Sequence, residues 1–222
     1  MSATEPVRDG AATTEPLRDE PFEAEVLERE IVHDGKVWDV VRETFLYNGE
    51  PIVREYVDHT GAVAILAMDD DERVLLIRQY RHPIRTRDWE IPAGLLDDDG
   101  EGPLEGAKRE LAEEADIAAD TWHVLAEYTN SPGGSNETVR VYLARGISDV
   151  DAFERTAEEA DIEVRWVSLD EALNAVLARD IQNPSTVIGV MAAALEKARG
   201  WTGLAPADTP WPRHPALGDG TW

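Results

Sequence analysis

Three glutamates and an arginine crowd into Arg109-Glu110-Leu111-Ala112-Glu113-Glu114, with another carboxylate, Glu101, upstream. At about 100° per residue, Glu110, Glu113 and Glu114 share one helical face, while Leu104, Ala107, Leu111 and Ala115 fall on a second face roughly a quarter turn away. Such a helix can bury one side and concentrate acid on the other. Three carboxylates at contact distance repel and raise one another's pKa unless a cation sits among them. Hard divalent ions that take oxygen ligands, Mg²⁺ or Mn²⁺, supply that cation. A Glu-rich helix is otherwise an ordinary solvated surface, so the spacing has to carry the case.

The spacing resembles the Nudix box. In Gly94–Ile117, GLLDDDGEGPLEGAKRELAEEADI, a glycine and a Glu precede R-E-hydrophobic-x-E-E. The resemblance implies that Glu110, Glu113 and Glu114 hold two to three divalent ions, that Arg109 orients the glutamates, and that the Ala93 carbonyl is a further metal ligand. The chain departs from the motif twice: Gly94 to Glu101 is one residue longer, and Asp116 stands where the last glycine belongs. That glycine ends the helix in a left-handed conformation, which Asp tolerates at modest cost.

Stretches outside the box resemble ADP-ribose pyrophosphatases. One is Ser131-Pro132-Gly133-Gly134-Ser135-Asn136-Glu137, from which Ser131 and Glu137 are candidate substrate ligands. A second is Arg78-Gln79-Tyr80-Arg81 with Trp89-Glu90-Ile91-Pro92-Ala93-Gly94, which makes Arg81 a candidate for the substrate phosphate or terminal ribose. A third, Glu158-Glu159-Ala160-Asp161, matches an acidic loop that carries the catalytic base; Glu159 is the choice and Glu158 the alternative. By the same resemblance Arg54 approaches the substrate, Trp38 is a candidate to stack on adenine, and the protein is a homodimer whose active site borrows residues from both chains. The implied reaction is hydrolysis of ADP-ribose to AMP and ribose 5-phosphate. The rivals are another nucleotide sugar, GDP-mannose or ADP-glucose, and a non-catalytic ADP-ribose sensor. Intact glutamates favour turnover over sensing.

The elements that must position these residues read as an α+β fold: an α/β/α sandwich with a mixed sheet, preceded by an antiparallel meander. Residues 1–20 form an acidic leader in which TEPVRD and TEPLRD nearly repeat, with the composition of a disordered segment. Residues 21–58 read as the meander, with strands Phe22–His33, Lys36–Leu46 and Pro51–Val57 joined by Asp34-Gly35 and Asn48-Gly49 turns. Residues 59–200 read as the hydrolase domain. Its strands fall at Ala62–Met68, Arg73–Tyr80, Trp89–Ile91, Trp122–Tyr128, Thr138–Ala144 and Ile162–Val167. Ser168 caps a helix to about Ala178, and Asn183-Pro184 opens another that Gly200 stops. Residues 201–222 are a Pro-, Gly- and Trp-rich tail, part of which is expected to pack on the body or a partner.

Composition narrows the classes. The 222 residues carry a net charge of −25 and no cysteine. Disulfides, zinc–thiolate sites and thiol nucleophiles are excluded. No basic stripe exists for nucleic acid, and the longest apolar run, Ala62–Met68, is too short for a bilayer. A soluble cytoplasmic protein is the default expectation.

Overall fold

The computed structural model describes residues 17–97, 100–153, 161–215 and 217. The meander is present as an antiparallel sheet of β1 (Val26–His33), β2 (Asp39–Tyr47) and β3 (Glu50–Asp58), in that order. Asn48-Gly49 makes the two-residue turn its sequence predicts, both residues at positive φ (53° and 82°) and Tyr47 facing Glu50. Asp34-Gly35 does not. The Gly35 N–H is captured by the Asp39 carboxylate at 3.1 Å, and the connection runs from Asp34 to Trp38. The first strand also begins at Val26 rather than Phe22.

The body is a five-stranded sheet and a three-stranded sheet between helices. β4 (Ala62–Ala67) lies beside β9 (Thr138–Asp149) in parallel. β7 (Ala93–Leu95) flanks β4, and β8 (Ile117–Thr129) and the two-residue β11 (Ala205–Pro206) lie beyond β9, giving the order β11-β8-β9-β4-β7. The smaller sheet is β10 (Glu163–Ser168), β5 (Arg73–Arg81) and β6 (Thr86–Glu90), all antiparallel. β4 is apolar throughout because both its faces are covered. Val63, Ile65 and Ala67 join the core under α1 (Pro103–Ala115), whereas Ala64, Leu66 and Met68 join the core under α2 (Leu169–Ala178) and α3 (Pro184–Ala198). The expected sandwich is therefore present, with its sheet layer divided in two.

The two caps predicted at α2 and α3 form: Ser168 Oγ accepts from the Glu171 N–H at 3.1 Å, and Asn183 Oδ1 from the Thr186 N–H at 3.0 Å. The tail does pack on the body. Arg140, 3% exposed at its side chain, donates to the Thr209 and Pro210 carbonyls at 2.9 and 3.1 Å and lies 4.7 Å from the Trp211 ring centroid. Trp211 and His214 are buried. His214 lies against Gly61, where an added Cβ would come within 2.4 Å of its Nε2. Among the described residues no helix is long and apolar enough to cross a membrane.

Candidate active site

The acidic helix α1 starts at Pro103 in its first turn, behind Gly102, and ends where the sequence predicts. Asp116 is left-handed (φ 55°, ψ 35°), its N–H bonded to the Ala112 carbonyl at 3.0 Å. Its side chain offsets the cost of that conformation, since Oδ1 accepts from the Phe153 N–H at 2.8 Å. Ala107, Leu111 and Ala115 are buried as expected.

Glu114 departs from the expectation of a purely exposed acid face: it is only 5% exposed, and its Oε2 accepts from the Ala93 N–H at 2.9 Å. The reason lies in β7. Bonds from Leu96 N–H to Gly61 O and from Ile65 N–H to Pro92 O fix the phase of the β4–β7 ladder. Alternation then turns the N–H and C=O of Ala93 away from β4, toward the helix carrying Glu114. Ile91 N–H bonds Thr186 Oγ1 at 2.9 Å, pinning the preceding residues to α3.

At Gly94 the side chain of Glu110 lies directly over the strand backbone. A Cβ there would lie 1.9 Å from Glu110 Cδ and 2.0 Å from its Oε1, so the glycine leaves the space this carboxylate occupies. Arg109 supplies part of the cation that the clustered acids require. Its guanidinium forks onto Glu101 (3.1 and 3.0 Å) and also donates to Glu110 at 2.7 Å and Glu113 at 3.1 Å. The Glu101 hydrogen bond, opposed by burial and aided by the charge of Glu110, drives the Arg109 pKa well above the ordinary arginine value. Among the described residues no three acidic or imidazole groups converge at metal-holding spacing; Glu101, Glu110 and Glu113 close on the guanidinium. The donor set is all oxygen, with the Glu110 carboxylate laid over a glycine backbone, and this chemistry fits a hard divalent ion.

Ala93 and Gly94 line a cleft of about 850 Å³ that also takes in Arg81, Glu90, Trp38, His59, Ser131 and Glu137. Arg81 Nε and Nη2 fork onto Glu90 at 2.8 and 2.7 Å. Glu90 is 1% exposed, so much of the arginine's charge balances a buried carboxylate. Sequence reasoning gave Glu90 no role; its signal was a lone acid inside the apolar run Trp89–Ile91. Trp38 is 46% exposed and stacks on His59 at 5.4 Å, so it is not a core residue. Glu137 accepts from the Asn130 amide at 2.7 Å. Arg54 is not brought to this cleft within one chain. It lines a second cleft, of about 520 Å³, across the Gly134-Ser135 turn. Glu158 and Glu159 lie outside the described residues.

Comparison with known proteins identifies the family. The NUDIX domain model matches residues 58–186. The chain belongs to the Nudix family. Among Nudix relatives, it is 42% identical over 192 residues to the ADP-ribose pyrophosphatase of Mycobacterium tuberculosis, covering 86% of this chain and 92% of the relative. It is 34% identical over 178 residues to the ADP-ribose pyrophosphatase of Bacillus subtilis, covering 80% and 96%. A solved structure described as an ADP compounds hydrolase superposes with a TM-score of 0.68 at 20% identity, over 82% of this chain and 99% of that one, which bears out the Nudix fold.

Proposed function

We propose that this Nudix hydrolase cleaves the pyrophosphate bond of ADP-ribose, adding one water across it to give AMP and ribose 5-phosphate. The Glu114–Ala93 hydrogen bond carries the reading, because it ties the acid helix to the Ala93-Gly94 backbone that lines the cleft. The cleft's volume is within the range of small-ligand sites. The substrate assignment draws on the two relatives named ADP-ribose pyrophosphatase.

Glu110, Glu113, Glu114 and the Ala93 carbonyl would hold the divalent ions, Mg²⁺ or Mn²⁺, two to three per site. Bound there, the metal would lower the pKa of a coordinated water and polarise phosphoryl oxygens. Arg109 keeps the carboxylates oriented between turnovers. Arg81 faces the diphosphate while anchored on Glu90. Ser131 and Glu137 contact the sugar side, and Trp38 offers its ring to adenine. Glu159, with Glu158 as the alternative, takes the proton of the attacking water as general base. If so, Glu159→Gln lowers kcat with little change in KM, and Glu158→Gln is mild; two mild effects would move the base elsewhere.

The protein acts as a homodimer built on the meander. β1 is exposed along its whole length and presents Val26, Leu27, Ile31 and Val32 to solvent, an apolar edge strand that a lone domain would leave uncovered. Through such a dimer Arg54 would serve the other chain's cleft. A monomer in light scattering at micromolar concentration would refute this arrangement.

The functional test is incubation with Mg²⁺ or Mn²⁺ and a panel of ADP-ribose, ADP-glucose, GDP-mannose, NADH and diadenosine polyphosphates, with products read by mass spectrometry. AMP with ribose 5-phosphate is the expected dominant pair. Preferential cleavage of GDP-mannose or ADP-glucose would overturn the substrate assignment.

A further inference from the structure

His59, between β3 and β4, belongs to none of the motifs that marked the site, yet it is built into the cleft from every side. Its backbone N–H donates to Asn136 Oδ1 at 2.7 Å, tying it to the Ser131–Glu137 turn. Its ring is stacked on Trp38, with centroids 5.4 Å apart and planes 28° from parallel, and its side chain is 8% exposed. The Gly61 N–H donates to Nδ1 at 3.0 Å. Nδ1 is therefore the bare nitrogen, and Nε2 carries the ring proton.

That Nε2–H faces Glu137 Oε1 across 3.7 Å, too far for a direct hydrogen bond. Glu137 cannot readily swing closer, because its other oxygen, Oε2, is held by the Asn130 amide at 2.7 Å. The gap thus has a donor of fixed tautomer on one side and an anionic acceptor on the other, both lining the cleft. A group that accepts and donates at a single oxygen complements it, and an oxygen about 2.9 Å from each atom fits over the gap. Among the parts of a nucleotide sugar, only a hydroxyl has that character. A phosphate oxygen would meet the carboxylate with like charge, and an amine would meet the Nε2–H donor to donor.

We infer that His59 and Glu137 form a donor–acceptor pair that reads one ribose hydroxyl of the substrate, with His59 as a specificity-determining residue. The inference rests on the ADP-ribose reading of the cleft. The stack with Trp38 holds the imidazole plane, and the Gly61 N–H selects the tautomer that can donate. An analogue lacking the hydroxyl leaves both groups facing each other unsatisfied, and this is where the discrimination arises.

The test compares kcat/KM of wild type, His59→Phe and His59→Gln on ADP-ribose and on five analogues, each lacking one ribose hydroxyl: either of the two on the adenosine ribose, or any of the three, the anomeric one included, on the terminal ribose. Phenylalanine keeps the stack with Trp38 and removes the donor; glutamine restores an N–H near the position of Nε2. On ADP-ribose, His59→Phe should lose about tenfold, chiefly in KM, and His59→Gln should recover part of it. On one of the five analogues, wild type and His59→Phe should be nearly equal, since the interaction is already gone. An equal loss for His59→Phe on all six substrates, or no loss on any, would overturn the inference while leaving the assigned function standing. Failure of the wild type to turn over ADP-ribose would take both down, and is read directly from the first arm.

Discussion

Gly94→Ala should separate activity from stability, because the new methyl would collide with the Glu110 side chain rather than with the backbone of the fold. Its Cβ would lie 1.9, 2.0 and 2.4 Å from Glu110 Cδ, Oε1 and Cγ. Carbon atoms rest at about 3.5–4 Å, so the carboxylate must retreat by roughly 1.5–2 Å. All three atoms sit toward the end of a flexible side chain, and Gly94 is not left-handed, so the backbone accepts alanine. The lost Arg109–Glu110 contact is offset by the lower chain entropy of alanine in the unfolded state, and stability should change by no more than about 1 kcal/mol. Displacing a positioned group by even 1 Å costs about 10²-fold in rate, equivalent to about 2.7 kcal/mol of barrier. Initial rates of AMP release at saturating metal, with Tm by calorimetry on the same preparations, test this. More than a tenth of the wild-type rate with an unchanged Tm would mean that Glu110 does not work from its place over Gly94.

Three other perturbations bear on the same cleft and its supports. Glu114→Gln should keep its fold, since a carboxamide oxygen still accepts from the Ala93 N–H, yet lose at least about 100-fold in kcat; Glu114→Ala should lose Tm as well. Arg81→Ala strands Glu90 as a buried unpaired acid and should cost about 2–3 kcal/mol in urea unfolding, less than for a fully buried pair because the guanidinium is 41% exposed. Arg81→Ala with Glu90→Gln should recover more than half of that loss. Burial holds the His214 pKa below its ordinary 6.5. The unfolded chain therefore takes up the proton first, and this contribution to stability is present above pH 6.5 and shrinks as pH falls toward the lowered value. Tm scans from pH 7.5 to 5 should drop more steeply for wild type than for His214→Gln, and parallel curves would refute the assignment.

The acid helix was legible because its signals are local: the apolar stripe at helical spacing and Asp116 at the stop. The burial of Glu114 was not, because it depends on a three-residue strand too short to show any period. Ladder phase, a property of β4 as much as of β7, decides where Ala93 points. The hairpin of β5 and β6 was half hidden for a related reason, since Thr86-Arg87-Asp88 reads as loop until Tyr80 and Gln79 are set opposite it. Asp34-Gly35 carried a strong turn signal that the Asp39 carboxylate overrode. Arg109 was legible as an orienting partner, but that it would gather Glu101, Glu110 and Glu113 around itself requires side-chain reach that spacing does not encode. Trp211 announced only that the tail had something to bury; its seat on Arg140 comes from residues about 70 positions earlier.

The parallel pairing of β4 with β9 also fixes when the site can come into being. Ala62 meets Val139 across it, with α1 and both strands of the β5–β6 hairpin in the intervening chain. On a ribosome, the acid helix emerges well before the strand that completes the sheet beneath it, and closing so long a loop is slow compared with forming local helix or hairpin contacts. The glutamates are thus made early but given their geometry late, after β9 has docked, and the Arg140 clasp on Thr209 and Pro210 comes last of all. A nascent chain stalled before residue 139 would carry the whole acidic motif without a floor for it to stand on.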